Sequence, residues 1–289
     1  MTIFNVGGGG SGGLTFKDMT TGLYEIKLSD WGNYYTQLPM YKFAYDPLLK
    51  SIELPNTITK LNGQTFCDDT GLEKAILPET ITQFGNSEFY GCNSLTEVNI
   101  PQNFTTLIDS IFTNCSSLEE ITLPPNLATI GAYVFQNCTA LKNVIFPNTL
   151  YKIGTSSFQN AGFENLTIPV TITDLGQSSF RGCTKLETVI IQANITNIKS
   201  YTFYQCTKVS YLELPATIAT IEGNALRYLG TTGNVGVTIK MLATTPPTIQ
   251  ATTFTGSLIT KIIVPQGTLT AYQTASNWTA YASFMEEAQ

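Results

Sequence analysis

The six cysteines are the residues whose side chains could do the most chemistry, as nucleophiles, disulfide partners or metal ligands. Five of them recur at one position of a repeating pattern, at Cys92, Cys115, Cys138, Cys183 and Cys206. If each repeat forms one coil and the coils stack, the Cβ atoms of cysteines in neighbouring coils would stay about 4.8 Å apart. A disulfide needs roughly 3.5–4.5 Å between these atoms. Thiolates in a line also cannot surround a zinc ion tetrahedrally. We therefore expect a ladder of buried thiols, with Cys67 as an isolated thiol outside it, and neither a metal nor another cofactor.

Acid–base catalysis has equally few candidate groups. The chain has no histidine, the commonest general base and metal ligand. The paired carboxylates Glu119–Glu120 and Glu286–Glu287 are expected to be solvated surface charges, and so is the pair Asp68–Asp69 at a turn. Nothing in the sequence supplies the pocket that would raise their pKa values. We do not expect an enzyme.

The overall charge limits the kinds of partner. The formal net charge is −6 and no cluster of Lys or Arg occurs along the chain, which argues against nucleic acid and anionic membranes. Charged residues make up 12%, so the surface must consist mainly of neutral polar groups. No apolar run reaches the roughly 18–20 residues of a membrane span. Residues Met1–Val6 lack the positive start and apolar core of a secretory signal.

The elements that would position these groups are repeats. A phenylalanine recurs in steps of 23 residues, with one step of 22, at Phe43, Phe66, Phe89, Phe112, Phe135, Phe158, Phe180 and Phe203. A proline follows twelve residues later in most repeats, at Pro55, Pro78, Pro101, Pro124 and Pro147, then at Pro169 after the short step and at Pro215, with Gln192 in the seventh repeat. Before each proline the spacing L-x-x-L-x-L alternates apolar and polar residues, as in Leu95, Val98 and Ile100. This period of two predicts a strand with one buried face, which the proline ends.

The return side of each coil is predicted from two further apolar positions. They lie three and six residues after the proline position, at Ile58, Ile81, Phe104, Leu127, Leu150, Ile172, Ile195 and Ile218 and at Leu61, Phe84, Leu107, Ile130, Ile153, Leu175, Ile198 and Ile221. The phenylalanine completes a third layer on a short helical turn. Residues with a left-handed backbone conformation (φ > 0) should end that turn, at Gly91, Asn114, Asn137, Asn160 and Gly182.

The repeats divide the chain into four regions. Residues 1–13, which include the sequence GGGGSGG at Gly7–Gly13, are expected to form a flexible tail. Residues 14–42 form an N-terminal cap, in which Tyr24, Ile26 and Leu28 make a degenerate first coil. Residues 43–226 are the eight repeats. Residues 227–289 hold an irregular last coil around Phe254–Pro265 and a closing amphipathic helix carrying Tyr272, Trp278, Tyr281 and Phe284.

The repeated pattern I-P-x-x-[apolar]-x-x-I-x-x-x-x-F-x-x-C-x-x-L-x-x-V-x-I-P resembles the BspA-like leucine-rich-repeat family over about residues 41–226. The end of the chain around Val264–Pro265, Tyr272, Trp278 and Tyr281 is similar to the family's closing segment. The resemblance implies a β-rich leucine-rich-repeat solenoid, a curved superhelix with a parallel strand ladder and short helical turns. It also implies an extracellular or cell-surface protein of a bacterium or parasite, which adheres to a protein or glycan on a host or neighbouring cell. The Gly-rich start is similar to that of bacteriophage accessory tail proteins, so a virion binding protein is the alternative.

The candidate ligand-binding residues are the outward side chains of the predicted strands, because solenoids bind through such broad faces. From the second repeat onward they are Lys74, Ile76, Glu97, Asn99, Glu120, Thr122, Asn143, Ile145, Asn165, Thr167, Thr188, Ile190 and Tyr211. We expect Ile76, Ile145 and Ile190 to be exposed, either as apolar anchors for a ligand or because β-branched residues favour strands. A second candidate is the aromatic cluster Trp31, Tyr34, Tyr35 and Tyr41, which could stack on sugars, anchor a partner or cap the first coil.

Overall fold

The structure of the protein is a computed structural model, which describes residues 36–289 and, before them, the strands Thr2–Asn5, Leu14–Lys17 and Tyr24–Lys27. The predicted flexible segment Gly7–Gly13 and the aromatic residues Trp31, Tyr34 and Tyr35 lie outside the described residues. The chain divides into two compact units, Met1–Pro147 and Asn148–Gln289, and each unit is described by itself.

The first unit is built from short strands. In chain order its described strands are β1 (Thr2–Asn5), β2 (Leu14–Lys17), β3 (Tyr24–Lys27), β4 (Gln37–Leu38), β5 (Leu49–Glu53), β6 (Lys60–Leu61), β7 (Lys74–Ile76), β8 (Glu97–Val98), β9 (Thr106–Leu107) and β10 (Thr129–Ile130). We call the strands before the proline position front strands and the short strands after it return strands. In this unit β3, β5, β7 and β8 are front strands, and β4, β6, β9 and β10 are return strands.

The second unit continues the same pattern with short helices near its end. Its strands are β11 (Lys152–Ile153), β12 (Asn165–Ile168), β13 (Asp174–Leu175), β14 (Thr188–Ile191), β15 (Asn197–Ile198), β16 (Tyr211–Leu214), β17 (Thr220–Ile221), β18 (Val237–Met241), β19 (Thr248–Ile249), β20 (Ile259–Val264) and β21 (Met285–Glu287). The helices are α1 (Leu269–Thr274) and the 3-10 helices Thr232–Asn234 and Thr279–Phe284. The front strands here are β12, β14, β16, β18, β20 and β21, and the other strands are return strands.

Successive coils pair in parallel, one repeat apart. Lys74 of β7 lies opposite Glu97 of β8, and Thr188 of β14 lies opposite Tyr211 of β16. The return strands pair in the same way, as Leu107 with Ile130 and Ile198 with Ile221 show. The partner is 23 residues away in each of these four pairs and 27 residues away between β16 and β18, and in both cases the outward side chains of one repeat position form a row. The predicted parallel β-solenoid with a 23-residue repeat is confirmed.

The inward side chains form the predicted core layers. All sixteen apolar residues of the return side are buried. The phenylalanine rings from Phe66 to Phe135 in the first unit stack at centroid distances of 5.0–5.5 Å, and those of Phe158, Phe180 and Phe203 in the second unit stack at 5.4 and 5.6 Å. Beyond their burial, such ring pairs contribute about 0.5–1.5 kcal/mol each.

Each turn that carries the phenylalanine contains left-handed residues. The five predicted ones, Gly91, Asn114, Asn137, Asn160 and Gly182, all have φ between 60° and 76°. A second series, which the sequence analysis did not predict, lies two residues before the phenylalanine position, at Gln64, Ser87, Ser110, Tyr133, Ser156, Ser178, Tyr201 and Asn224. This conformation is unfavourable for residues with a Cβ atom. Backbone bonds between coils hold it, as when the N–H groups of Phe89 and Gly91 donate to Ile111 and Thr113 at 2.9 and 2.8 Å.

The N-terminal region supplies the predicted degenerate first coil. Ile26 of β3 lies opposite Ile52 of β5 in a parallel pair. The region ahead of it is an antiparallel arrangement in which β2 pairs with both β3 and β1. Thr2–Asn5, which the sequence assigned to the flexible tail, therefore forms a strand.

The C-terminal region differs from the prediction in two respects. The coils continue through β18, whose inward residues Val237, Ile239 and Met241 are buried, so the repeat extends beyond residue 226. The predicted closing helix is two short helices, separated near Asn277, whose φ of 64° cannot continue a helix. The chain then forms β21, which pairs in parallel with β20. None of the helices among the described residues is long and apolar enough to cross a membrane.

Candidate interaction surface

The predicted ladder of buried free thiols is confirmed in both units. Each thiol donates to the carbonyl oxygen of the phenylalanine in the preceding coil, with Sγ–O distances of 3.0 Å for Cys92 and Phe66 and 3.2 Å for Cys206 and Phe180. Burial raises the pKa of the Cys92 thiol well above its usual value, and it does the same at Cys115 and Cys183. Because the thiolate is the reactive form, the ladder holds coils together rather than performing chemistry.

Two acidic residues are buried in the first unit. Asp69 occupies the ladder position of the second repeat, and its expected place on the solvated surface is wrong because the turn directs this position inward. Burial raises the pKa of Asp69 to about 8, with a contribution from the Asp46 carboxylate and opposition from the N–H groups of Gly71 and Leu72. Within the described parts of the chain, no group of three or more His, Cys, Asp or Glu side chains could hold a metal ion.

The second of these acids, Glu88, supports the backbone. Its Oε1 accepts hydrogen bonds from the N–H groups of Gly63 and Gly85 at 2.8 and 2.7 Å, and its Oε2 accepts from Thr65 at 3.0 Å. Burial raises the pKa of the Glu88 carboxyl, while these hydrogen bonds lower it. The Glu88 carboxylate therefore joins its own turn to the turn of the preceding coil.

The front strands of the first unit bring part of the predicted site together. Lys74 forms an ion pair with Glu97, with an Nζ–Oε1 distance of 2.7 Å, and Ile76 beside them is 38% exposed. Asn99 has another role, because its side-chain amide both donates to the Leu77 carbonyl oxygen and accepts from the Leu77 N–H, each at 2.7 Å. This pair of bonds continues the front ladder beyond β8, so the Asn99 amide serves the fold.

Pairing of the front strands becomes weaker toward the end of the first unit. β8 has only two residues, and beyond it a single bridge joins Glu120 and Asn143. A depression of about 460 Å³ lies here, lined by Glu119, Glu120, Ile121, Thr122, Leu123, Lys142, Asn143, Ile145 and Pro147. Ile145 is 88% exposed at its edge, and an ion pair of 2.9 Å joins Lys142 and Glu119. Four predicted site residues, Glu120, Thr122, Asn143 and Ile145, thus line one concave surface.

The front strands of the second unit place the other candidates in two regular rows. One row contains Asn165, Thr188 and Tyr211, and the other contains Thr167, Ile190 and Glu213. Ile190 was expected to be exposed, but it is half-buried, because the paired strands on both sides cover part of its side chain.

At one end of these rows the outward side chains bond to one another. The Tyr211 hydroxyl donates to Glu213 at 2.9 Å, and Lys240 pairs with the same carboxylate at 3.0 Å. Burial, together with Glu213, raises the pKa of Tyr211 to about 12. Lys240 was not among the predicted site residues, although the alternation of Val237, Ile239 and Met241 indicates this strand.

Of the predicted aromatic cluster, only Tyr41 lies among the described residues. It is 47% exposed and stacks on Tyr45, with ring centroids 6.4 Å apart. Tyr45 was not predicted, and it occupies a left-handed turn position like that of Gly91.

Comparison with known proteins gives the family. The sequence matches the family model for the BspA type leucine-rich repeat region in six copies, over residues 36–161, 109–233 and 152–276. No curated protein matches the chain. Among solved structures, a leucine-rich repeat protein from T. pallidum is 21% identical, covering 68% of this chain and 86% of that one, with a TM-score of 0.51, which shows the fold.

Two further similar structures have lower TM-scores. One is a leucine-rich repeat protein from Bacteroides ovatus, 19% identical over 96% of this chain and 98% of that chain, with a TM-score of 0.46. The other is the pneumococcal vaccine antigen PcpA, 15% identical over 87% of this chain and 69% of that chain, with a TM-score of 0.45. The repeat anchors, the parallel coils and the family match agree, and the chain belongs to the BspA-type leucine-rich-repeat family.

Proposed function

We propose that this protein is a cell-surface interaction module, which adheres to a protein or glycan through the outward side of its front strands. The observation that carries the proposal is Ile145, a large apolar side chain that is 88% exposed beside a depression of about 460 Å³. An apolar side chain this exposed gains about 1.5–3 kcal/mol when a partner buries it fully.

The surroundings of Ile145 have the composition of a binding site. Charged and amide groups, including Glu120, Lys142 and Asn143, surround the apolar side chains of Ile121 and Ile145. Binding surfaces commonly combine an apolar anchor with a polar rim that excludes water and orients the partner. The interrupted strand pairing beneath this surface also leaves backbone groups near Glu120 and Thr122 outside a regular ladder.

The rest of the molecule fits an adhesive role. A surface with few charges can bind neutral sugars or protein surfaces without electrostatic steering. Glu88 and the buried ladder thiols form hydrogen bonds that join neighbouring coils, which favours binding over catalysis. Membership of the BspA-type family supports a location at the cell surface.

The experiment is binding of the fluorescently labelled protein to intact bacterial and epithelial cells, before and after treatment with periodate or protease. We expect saturable binding. Loss after periodate would identify a glycan ligand, and loss after protease would identify a protein ligand. No binding to any cell would contradict adhesion and favour the virion alternative.

A matched pair of variants tests the location of the site. Ile145→Ser should weaken cell binding at least tenfold while the unfolding midpoint stays unchanged, because the side chain contacts solvent rather than core. Val170→Ser is the control, since Val170 is also apolar and 54% exposed but lies outside the front strands, just after Pro169. Equal loss of binding in both variants would contradict a site at Ile145.

A further inference from the structure

The only two arginines of the sequence, Arg181 and Arg227, are 46 residues apart and occupy the same repeat position. This position directly follows Phe180 in one repeat and Leu226 two repeats later, and Tyr204 occupies it in the repeat between them. The two arginines therefore lie on the same edge of the second unit, on either side of Tyr204. We call Arg181, Tyr201, Tyr204, Arg227 and Tyr228 the arginine–tyrosine cluster.

The members of this cluster contact one another closely. The guanidinium carbon of Arg181 lies 5.1 Å from the ring centroid of Tyr204 and 5.7 Å from that of Tyr201. The guanidinium of Arg227 lies 4.7 Å from the ring of Tyr228, and the rings of Tyr204 and Tyr228 are 5.6 Å apart. Such cation–π contacts hold the guanidinium groups in place while leaving N–H donors for other partners.

The position of Tyr228 depends on a glycine in the next coil. A Cβ atom on Gly256 would lie within 2.4 Å of the Tyr228 ring, so only glycine leaves room for the ring there. The backbone of Gly256 is also left-handed, at φ 73°. The sequence thus maintains the space that the ring occupies.

The guanidinium groups have unused donors. Arg227 donates from Nη1 to Asn224 Oδ1 at 3.2 Å and from Nη2 to the Tyr228 hydroxyl at 2.8 Å, which leaves a second N–H on each nitrogen for a ligand, whereas its Nε is buried out of reach. Within the part of the chain that the structure describes, Arg181 and Arg227 form no ion pair, whereas every salt bridge there is formed by a lysine. The chain's two planar, bidentate cations are therefore free of carboxylates.

The surrounding segments are positively charged in a protein of net charge −6. Segments 176–186, 199–209 and 222–232 contain Arg181, Lys185, Lys199, Lys208 and Arg227 but one acid, Glu222. Of these cations, Lys199 is already paired with Asp174 at 2.8 Å. That acid already accepts hydrogen bonds from Asn197 at 2.6 Å and from Ser200 at 2.8 Å. The corresponding segments of the first unit, 85–95, 108–118 and 131–141, have no Lys or Arg and two acids, Glu88 and Asp109.

We infer that the arginine–tyrosine cluster is a binding site for an acidic glycan, a polysaccharide that carries carboxylate or sulfate groups. A guanidinium donates two parallel hydrogen bonds to such a group. The two arginines are two coils apart, about 10 Å at the spacing of paired strands, which suits a linear chain with regularly spaced charges. The hydroxyl and amide groups of Thr207, Gln205 and Tyr228 lie in the same segments and suit the neutral hydroxyls between those charges.

An acidic peptide fits this edge less well. A peptide that adds as a strand needs free backbone donors and acceptors. Here the N–H groups of Phe180, Gly182, Phe203 and Gln205 donate to carbonyl oxygens of the following coil at 2.7–3.0 Å. Nucleic acid would meet a protein that is negatively charged overall, with few basic contacts. This site lies in the second unit and at the turn position of the repeat, whereas Ile145 belongs to the first unit and to the front-strand position, so the inference is independent of the proposed function.

The test uses the full-length protein and measures binding to immobilised hyaluronan and heparin, with neutral dextran, polyglutamate and single-stranded DNA as comparison probes. We expect saturable binding to at least one acidic polysaccharide, weakened by salt, and none to dextran. Stronger binding to polyglutamate or DNA would overturn the assignment to a glycan. No binding to either acidic polysaccharide would overturn the proposal as well.

Variants distinguish binding at the arginine–tyrosine cluster from a general effect of positive charge. The double variant Arg181→Ala/Arg227→Ala should reduce the affinity for the acidic polysaccharide at least tenfold. The control double variant Lys152→Ala/Lys240→Ala removes the same charge elsewhere in the unit and should change that affinity less than twofold. Arg181→Ala alone provides a variant that breaks no hydrogen bond within the protein, and it should still reduce affinity severalfold. Equal losses in the arginine and lysine pairs would overturn the proposal. The Ile145→Ser variant should bind these polysaccharides normally.

Discussion

The front strands of the two units show how one repeat supports two kinds of surface. In the second unit, β12 pairs with β14 over four residues, and β16 pairs with β18 over four. In the first unit the ladder shortens to the two residues of β8 and then to the single bridge between Glu120 and Asn143. Most inward residues are buried in both regions, although Val144 and Phe146, next to the single bridge, are only half-buried, so the core maintains the coil while the outward side is free to change.

The turns likewise share one backbone structure in both units but differ in their outward residues. Both units have left-handed residues at the same two repeat positions, and both have thiols that donate to phenylalanine carbonyls. Yet the corresponding turn segments carry a net positive charge in the second unit and a net negative charge in the first. Because the turn backbone is fixed by bonds between coils, its outward residues can differ without changing the fold.

Proline substitution is the strongest way to break this comparison, because it removes a backbone donor. Ile190 and Thr122 occupy the same repeat position, but Ile190 lies inside the paired strand β14 and Thr122 lies outside any strand. Ile190→Pro should lower the local free energy of unfolding by about 3 kcal/mol or more, and Thr122→Pro by less than about 1 kcal/mol. Hydrogen–deuterium exchange, read for each unit separately, measures both values.

The alanine variants at both positions correct for the lost side chains. If Ile190→Pro and Thr122→Pro cost the same after this correction, the difference in strand pairing between the units would be wrong.

The pH dependence of stability should differ between the units because both carboxyl residues at the ladder position, Asp46 and the buried Asp69, belong to the first unit. The pKa of Asp69 is about 8 in the folded protein, above the usual 3.8. The folded state therefore keeps a proton that the unfolded chain releases, and this contribution to stability is full below about pH 4 and lost as pH rises through 8. Asp69→Asn should remove the larger part of this dependence and stabilise the first unit by about 2–4 kcal/mol at pH 9, while Glu88, whose pKa burial also raises, should leave a remaining fall in stability as pH rises.

Unfolding of Asp69→Asn and the parent protein at pH 4, 6, 8 and 9 tests this prediction. The second unit, with Cys183 and Cys206 at the ladder position, is the internal control. A parent protein whose first unit is equally stable at pH 4 and pH 9 would show that Asp69 is not buried as described.

The thiol ladder should respond equally in both units. Cys115 and Cys183 donate to phenylalanine carbonyls at 3.1 and 3.2 Å, and both are fully buried. Cys115→Ala and Cys183→Ala should each cost about 1–2 kcal/mol through the lost hydrogen bond and the small cavity. Urea unfolding measures both costs, and values that differ by more than about 1 kcal/mol would argue against a shared turn.

Ion pairs between neighbouring front strands should have the smallest effect. Lys74 pairs with Glu97, and Lys240 pairs with Glu213 in a less exposed position. Exposed pairs contribute between 0 and about 1 kcal/mol. Lys74→Gln and Lys240→Gln should therefore change thermal stability only slightly, with the larger change at Lys240. A loss above about 2 kcal/mol at Lys74 would contradict the description of this surface.

The inward half of the repeat could be predicted from the sequence because its residues must satisfy the same packing in every coil. Core packing explains why the phenylalanine and the two return-side apolar residues recur at fixed positions. Tolerance of a left-handed backbone explains why Gly or Asn recurs at the end of the turn. The second left-handed series was not predictable, since Gln64, Ser87 and Tyr133 have no shared preference for that conformation. Tertiary hydrogen bonds between coils, absent from local sequence, impose it.

The outward residues of the repeat could be located from the sequence, but the contacts that they form could not be predicted. Alternation correctly identified which residues face out, but not that Asn99 would bond to Leu77 or that neighbours would cover Ile190. The sequence places the two arginines at the same repeat position, two repeats apart, but it does not show that the tyrosine rings contact them. Residues that meet only through the register of stacked coils require the structure.

The most direct test of the central claim compares Ile145→Ser with Ile190→Ser, the same repeat position in the two units. Binding to intact cells and the unfolding midpoint are measured for both variants. We predict that Ile145→Ser loses at least tenfold in binding and keeps its midpoint, while Ile190→Ser keeps its binding and loses stability, because Ile190 is half-buried within paired strands. Unchanged binding of Ile145→Ser, or loss of binding only in Ile190→Ser, would contradict the claim.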